Sequence, residues 1–386
     1  MPAKRRPLGL ATVVVHGGGG AAPEGERPVV SPLFQSVNFI QPDGTDEGQL
    51  RYPRYGNNPT AEVVQARLAA LEGADAALVL ASGMGATACA MLALLRPGDH
   101  LVSSGWLYGG TQRLFATELP AMGIEVTFVR PTETRQWRKA IRKGTRAIFV
   151  ETPVNPTCRV LDLQPLRRLT RQHGLALVVD STFASPINFR PLAHGADVVI
   201  HSATKYLNGH NDVLAGVVLG TASLVEEVRQ KMMVWGQAPD PFACWLLERG
   251  LKTLAVRVRQ HNENALAVAR WCAGRSEIRR VHYPGLPDHP DHELARATLE
   301  GFGGMMAIEL ADGATADRFE RRIKLVAAAP SLGGVDSLAS QPRHTSHAHL
   351  TPGERASAGI PDGFVRLSIG IEDVRDLIAD IEQALG

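Results

Sequence analysis

From residue 61 onward the chain alternates short apolar runs with helix-like segments, and this alternation limits the folds open to it. The segment "AEVVQARLAALEG" (61–73) reads as an amphipathic helix ending at Gly73, and "AALVLA" (76–81) reads as a buried strand. Further strands are expected at "HLVSS" (100–104), "IEVTFV" (124–129), "RAIFVE" (146–151), "LALVVD" (175–180), "DVVIH" (197–201) and "LAGVVLG" (214–220). Runs that are apolar throughout belong to strands buried on both faces, which is the signature of a mostly parallel sheet covered by helices. The fold class is therefore α/β. Residues 17–60 are rich in Gly, Pro, Asn and Thr without sustained periodicity, so 1–60 is expected to form an N-terminal arm. A large domain over 61–250 follows. Beyond it, "GMMAIEL" and "FVRLSIG" read as strands among helices, giving a smaller C-terminal α+β domain over 251–386.

A length of 386 residues fits two domains rather than one, with ample core. A net charge of +2 gives no bulk electrostatic reason to bind nucleic acid or an anionic membrane, and neither is expected as a partner. The four cysteines (Cys89, Cys158, Cys244, Cys272) have no C-x-x-C spacing, so neither a disulfide framework nor a zinc knuckle is read, and the setting expected is a reducing cytoplasm. The opening "MPAKRRPLGLATVVVHGGGG" has a basic head and an apolar run, but the run is short, is broken by glycine and lacks a convincing cleavage site. No secretion signal is expected from it.

In a parallel α/β sheet, ligands bind beyond the carboxyl ends of the strands. The polar residues found there are Ser82, Asn155, Asp180 and Lys205, which would share one edge if the strands are parallel. "SGMGAT", opening a helix, offers glycine-permitted backbone amides and a hydroxyl, a generic anion cradle suited to phosphate. It also satisfies G-x-G-x-x-A, but a dinucleotide site wants an acid ending the next strand, and "HLVSS" ends in serines. Asp180 alone could be a helix N-cap, and Lys205 alone a loop lysine. Together with a phosphate cradle they form the set that pyridoxal 5'-phosphate requires: partners for its aldehyde, ring nitrogen and phosphate. A nicotinamide-dependent dehydrogenase and a non-catalytic binding protein are the competing readings.

These residues lie in motifs that resemble the Cys/Met-metabolism family of pyridoxal-phosphate enzymes, which includes cystathionine γ-synthase, cystathionine γ-lyase, methionine γ-lyase and the homoserine sulfhydrylases. The resemblance runs from "SPLFQSVNF" and "YPRYGNNPT" through "SGMGAT", "LYGGTQRLF", "ETPVNPT", "VVDSTFASP" and "HSATKYLNGHNDV" to "YPGLPDHPDHELA", "SLGGVDSL" and "VRLSIGIED". It implies fold type I of the PLP-dependent transferases, with a mostly parallel seven-stranded sheet. It makes Lys205 the Schiff-base lysine, Asp180 the partner of the pyridine nitrogen and Tyr108 the ring-stacking residue that assists proton transfer. Ser82, Gly83, Met84, Ser202 and Thr204 would surround the phosphate, with Thr182 near the ring. Asn155 would bond the phenolic oxygen and help seat the substrate, whose α-carboxylate would meet Arg366 and Ser331. Tyr52 and Arg54 would reach a neighbouring subunit's phosphate, implying a dimer and usually a homotetramer built as a dimer of dimers. The substrate implied is a small sulfur- or homoserine-derived amino acid, undergoing γ-elimination or γ-replacement.

Within the family, Gly110 stands where methionine γ-lyases commonly carry cysteine, and Arg113 matches an arginine facing a distal carboxylate, unless it is merely solvated. Asp336 stands where lyases usually have glutamate. Arg51 precedes Tyr52 where an acid is common, which would suit an anionic distal group. "YGNNPT" has one asparagine more than usual, which would shift the arm against the active site. The histidines His344, His347, His349, His289 and His292 are read as polar loop residues rather than metal ligands, because no carboxylate or cysteine completes a set.

Overall fold

The seven expected runs form one sheet: β1 (Ala76–Leu80), β2 (His100–Ser104), β3 (Glu125–Val129), β4 (Thr145–Glu151), β5 (Ala176–Asp180), β6 (Val198–Ser202) and β7 (Gly216–Gly220). A computed structural model describes residues 8–17, 28–44, 50–348 and 350–386. The strand order is β1-β7-β6-β5-β4-β2-β3. β7 is antiparallel to both of its neighbours, while β6, β5, β4, β2 and β3 pair in parallel. Two antiparallel steps restore direction, so β1 ends on the same edge as β4, β5 and β6.

Successive side chains alternate between two cores, as the strand period of two requires. Val79, Val150, Val179 and Val199 face helices Pro59–Glu72, Leu163–His173 and Pro241–Leu251. Leu80, Phe149, Val178 and Ile200 face helices Gly83–Leu94 and Ala222–Trp235. Burying each such side chain contributes roughly 1.5–3 kcal/mol.

The first long helix differs from its expectation. It runs Pro59–Glu72, started by Asn58, whose side chain accepts from the Thr60 N–H. It is not amphipathic: Gln65, Arg67 and Glu72 are buried alongside Val64 and Leu68. The helix Pro241–Leu251 and the helix Leu10–His16 cover the sides that a single sheet contact would leave in water.

A second sheet joins β8 (Arg280–His282), β9 (Met305–Glu309), β10 (Ala327–Ala328), β11 (Leu338–Ser340) and β12 (Phe364–Ser368) in the order β10-β11-β12-β9-β8. The helix Leu254–Ala273 serves both cores, with Leu254 and Val258 packed against the large sheet and Val268 and Cys272 against the small one. This shared helix packs on β8 and β9 and so ties the small sheet to the large one, and Arg366 of β12 reaches Asn155 beyond β4. Among the described residues, no helix is long and apolar enough to cross a membrane.

Candidate active site

The edge where β1, β4, β5 and β6 end collects the polar residues. Lys205 sits in the turn after β6, and its Nζ donates to Ser331 Oγ at 2.7 Å. Ser331 adopts φ 89°, a left-handed conformation that costs a non-glycine residue free energy and is retained where the surroundings demand it. That conformation turns its hydroxyl to Lys205 while its carbonyl accepts from Arg366 Nη2 at 2.8 Å. Arg366, on β12 of the small sheet, also donates from Nη1 to Asn155 Oδ1 at 3.2 Å. Its Nε is buried without a partner, and no carboxylate among the described residues pairs with it. Burial pushes its pKa down to about 10. Burial, with the Arg366 charge nearby, lowers Lys205 to about 8, so the neutral, nucleophilic fraction of its amine near physiological pH is far larger than for an ordinary lysine, though still the minority form.

Asp180 ends β5. Its Oδ1 accepts from the Thr182 N–H at 3.0 Å and the Thr182 hydroxyl at 2.6 Å, and Thr182 Oγ1 in turn accepts from the Ser202 N–H. Among the described residues Oδ2 accepts nothing, leaving one carboxylate oxygen for an outside donor such as a protonated ring nitrogen. Opposite Asp180 in the β4–β5 register stands Glu151, a buried carboxylate that sequence reasoning passes over. Glu151 Oε1 accepts from the Asn155 N–H at 2.9 Å and Oε2 from the Tyr108 N–H at 2.8 Å. Burial first, and the Asp180 charge second, push Glu151 up to about 8. Burial also raises Asp180, against the Thr182 hydrogen bonds.

The end of β1 leads into the helix Gly83–Leu94, which Ser82 caps by accepting the Gly85 N–H at 3.0 Å. A Cβ at Gly83 would lie 2.8 Å from Ser202 Cβ, so glycine is needed for this close approach. Ser82, Gly83, Met84 and Ser202 thereby meet at one helix N-terminus, a cradle that fits a phosphate. The Thr204 hydroxyl is already bonded to the Ala215 backbone on both its donor and acceptor sides.

Tyr108 is held by its backbone and is 46% exposed. A Cβ at Gly110 would come within 2.7 Å of Tyr108 Cε1 and 3.0 Å of Met84 Sδ, so a larger residue there must displace the ring or the thioether. Arg113 is exposed, whereas its neighbour Gln112 lines a cavity of about 220 Å³ with Asn155, Thr157, His347 and Glu354.

The arm residues lie elsewhere. Tyr52 and Arg54 have no contact with the Lys205 group within the chain; the Arg54 guanidinium lies 5.4 Å from the ring centroids of both Tyr52 and Tyr55. Arg51, read from sequence as a candidate for an anionic distal group, is engaged by Glu62 at 3.0 Å and the Asn57 carbonyl at 2.7 Å. Both asparagines are engaged in the arm's own structure, Asn57 accepting from the Tyr52 N–H while Asn58 caps the helix. Asp336 is exposed and accepts from Asn211 Nδ2 at 3.0 Å. Of the histidines, His349 lies outside the described residues. His289 is pushed down to about 4 by burial, and His292 Nδ1 lies 2.8 Å from the Pro284 carbonyl. His344 lies 3.6 Å from Asp317, and His347 bonds Ser346. No group of three or more His, Cys, Asp or Glu among the described residues is arranged to hold a metal ion.

Comparison with known proteins gives a consistent result. The family model described as Cys/Met metabolism PLP-dependent enzyme matches residues 11–386. A cystathionine gamma-synthase of Mycobacterium leprae is 41% identical, covering 98% of this chain and 97% of that protein. An L-methionine gamma-lyase of Pseudomonas putida is 39% identical over 98% and 97%, and a cystathionine gamma-lyase of Bacillus subtilis 39% over 97% and 98%. The crystal structure of metB from Corynebacterium glutamicum superposes with a TM-score of 0.91 at 39% identity, covering 98% of each chain.

Proposed function

The chain belongs to the Cys/Met metabolism PLP-dependent enzymes, and within that family we propose that it acts at the γ-carbon of a sulfur- or homoserine-derived amino acid, in the manner of a cystathionine γ-lyase or γ-synthase. The observation that carries this reading is the triad of Lys205, Ser331 and Arg366: a partly buried amine of lowered pKa beside a buried cation that pairs with no carboxylate among the described residues. Bound pyridoxal phosphate supplies an electron sink for the charge left when an amino acid loses its α-proton. Lys205 would hold the cofactor and, once freed, take that proton. Asp180, through its uncommitted oxygen, would keep the ring nitrogen protonated, with Thr182 fixing the carboxylate. Ser82, Gly83, Met84 and Ser202 would hold the phosphate, with Thr204 shaping that turn from its bonds to Ala215. Tyr108 would cover the ring. Arg366, Asn155 and Ser331 would seat the substrate α-carboxylate, and Arg113 with the adjoining cavity would receive its distal end.

A methionine γ-lyase or O-acylhomoserine sulfhydrylase is the second reading. The crowding at Gly110 weighs against the methionine γ-lyase, since a cysteine there would have to displace Tyr108 or Met84, and Arg113 weighs against the sulfhydrylase.

The three-part division into an arm (1–60), a large unit (61–250) and a small unit (251–386) belongs to this proposal. So does self-association: the arm leaves Val29, Val30, Val37 and Ile40 exposed, a surface suited to a second copy, with Tyr52 and Arg54 carried toward that neighbour. A dimer of dimers and a cytoplasmic setting complete the reading; all four cysteines are unpaired and buried.

Purified protein is expected to be yellow, and borohydride to fix the cofactor on Lys205. Offered L-cystathionine, L-methionine and O-acyl or O-phospho homoserine, with and without cysteine or sulfide, it should turn over cystathionine or the homoserine ester fastest. A colourless protein with Lys205 unmodified after reconstitution would end the proposal.

A further inference from the structure

Glu151 is 5% exposed at the end of β4, and each of its carboxylate oxygens accepts one backbone N–H from a different loop. Oε2 takes the amide of Tyr108, which follows β2, and Oε1 takes the amide of Asn155, which follows β4; β2 and β4 are neighbours in the sheet. Tyr108 opens a helix of five residues with no side-chain cap, and its ring is nearly half exposed, so packing does little to place it. Asn155 holds Arg366 through its side chain, so any shift in its backbone is passed to the cation. A buried carboxylate beside Asp180 is electrostatically costly, and such groups persist where their geometry is used.

We infer that Glu151 is a positioning residue of this active site: its carboxylate clamps the Tyr108 loop to the Asn155 loop and so sets ring cover and carboxylate seat relative to each other. The inference rests on the function proposed above, which assigns Tyr108 and Asn155 those two roles. The clamp requires two acceptor oxygens, and the Asn155 and Tyr108 amides favour the ionised carboxylate, opposing the burial and the Asp180 charge that favour its protonation. Glutamine offers one and turns an NH₂ group against the other amide, whereas aspartate keeps both but withdraws them by one methylene.

The test compares wild type, Glu151→Gln and Glu151→Asp as holoenzymes. In Glu151→Gln, Lys205 still takes up the cofactor, but the visible circular dichroism of the bound cofactor falls by about half or more. Its kcat drops on the order of 10²-fold, a loss typical of a misplacement near 1 Å, while KM rises less. Glu151→Asp recovers a larger share of both. By hydrogen exchange, the amides in 106–109 and 154–157 are protected in wild type and exchange at least about tenfold faster in Glu151→Gln. Unchanged dichroism and kcat in a cofactor-loaded Glu151→Gln would overturn the inference. Rapid exchange of both segments in wild type overturns it too, and that measurement decides the matter if neither variant folds. A wild type that fails to load Lys205 instead defeats the functional proposal, with the exchange result standing apart from it.

Discussion

Arg67 and Arg366 are both buried arginines, 4% and 7% exposed, yet their surroundings are opposite. Arg67 lies 3.2 Å from Glu248, whose same oxygen accepts the Ser31 hydroxyl, and its Nε donates to the Gly17 carbonyl at 2.9 Å. It joins the helices Pro59–Glu72 and Pro241–Leu251 to two stretches of the arm. Among the described residues Arg366 finds one amide oxygen, one carbonyl and no carboxylate, with its Nε unpaired and the Lys205 amine as a neighbour. A buried charge with its counterion inside the chain is a brace, whereas one lacking it is a receptor for a counterion brought from outside.

This contrast breaks most readily at Arg366. Arg366→Leu is expected to lower kcat/KM by about 10³-fold or more, a loss of about 4 kcal/mol in transition-state stabilisation, while leaving thermal stability unchanged or higher. Steady-state kinetics beside a melting curve separates the two effects; a strongly destabilised variant would make Arg366 a brace like Arg67.

Arg67→Leu should do the reverse. It leaves buried Glu248 with the more distant Lys252 amine, 3.9 Å away, and is expected to cost about 3–5 kcal/mol by urea unfolding, with KM of the folded fraction within about twofold of wild type. Adding Glu248→Leu should recover much of that loss, because the poorly compensated buried charge is then gone.

The smallest effect concerns pH. In cofactor-free protein Lys205 has a folded pKa of about 8 against 10.5 unfolded, so between those values the unfolded chain binds more protons and stability rises with pH. Glu151 acts in the opposite sense: with a folded pKa near 8 against 4.5, it makes stability fall as pH rises through that lower window. Lys205→Met is expected to flatten the upper slope and to stabilise the cofactor-free protein at pH 7 by up to roughly 3 kcal/mol. A melting temperature for this variant that follows wild type from pH 8 to 10.5 would contradict the assignment.

Much of this site is legible in the sequence. The seven runs that form β1–β7 are readable because strand burial imprints a local pattern, and the residues following β1, β4, β5 and β6 can be placed on one edge by topology alone. Glu151 is hidden because it reads as the last letter of "RAIFVE", and nothing local distinguishes a clamp from a strand end. The pairing of Arg51 is hidden for a related reason: its partner Glu62 lies in the next helix, and the two meet only once the turn Pro53–Tyr55 has been built. The bonds of Asn57 to Tyr52 and Leu50 close around the same turn, and they too cannot be read from neighbours in sequence.

Order along the chain was enough for the element types, the parallel core and the family, because strand period, cap residues and motif order are properties of neighbours in sequence. Which charges are neutralised depended on the folded arrangement. Lys205 meets Ser331 across 126 residues and Arg366 meets Asn155 across 211, and whether a buried cation finds its anion rests on contacts at that separation. Arg67 found one in Glu248, and among the described residues Arg366 was left without.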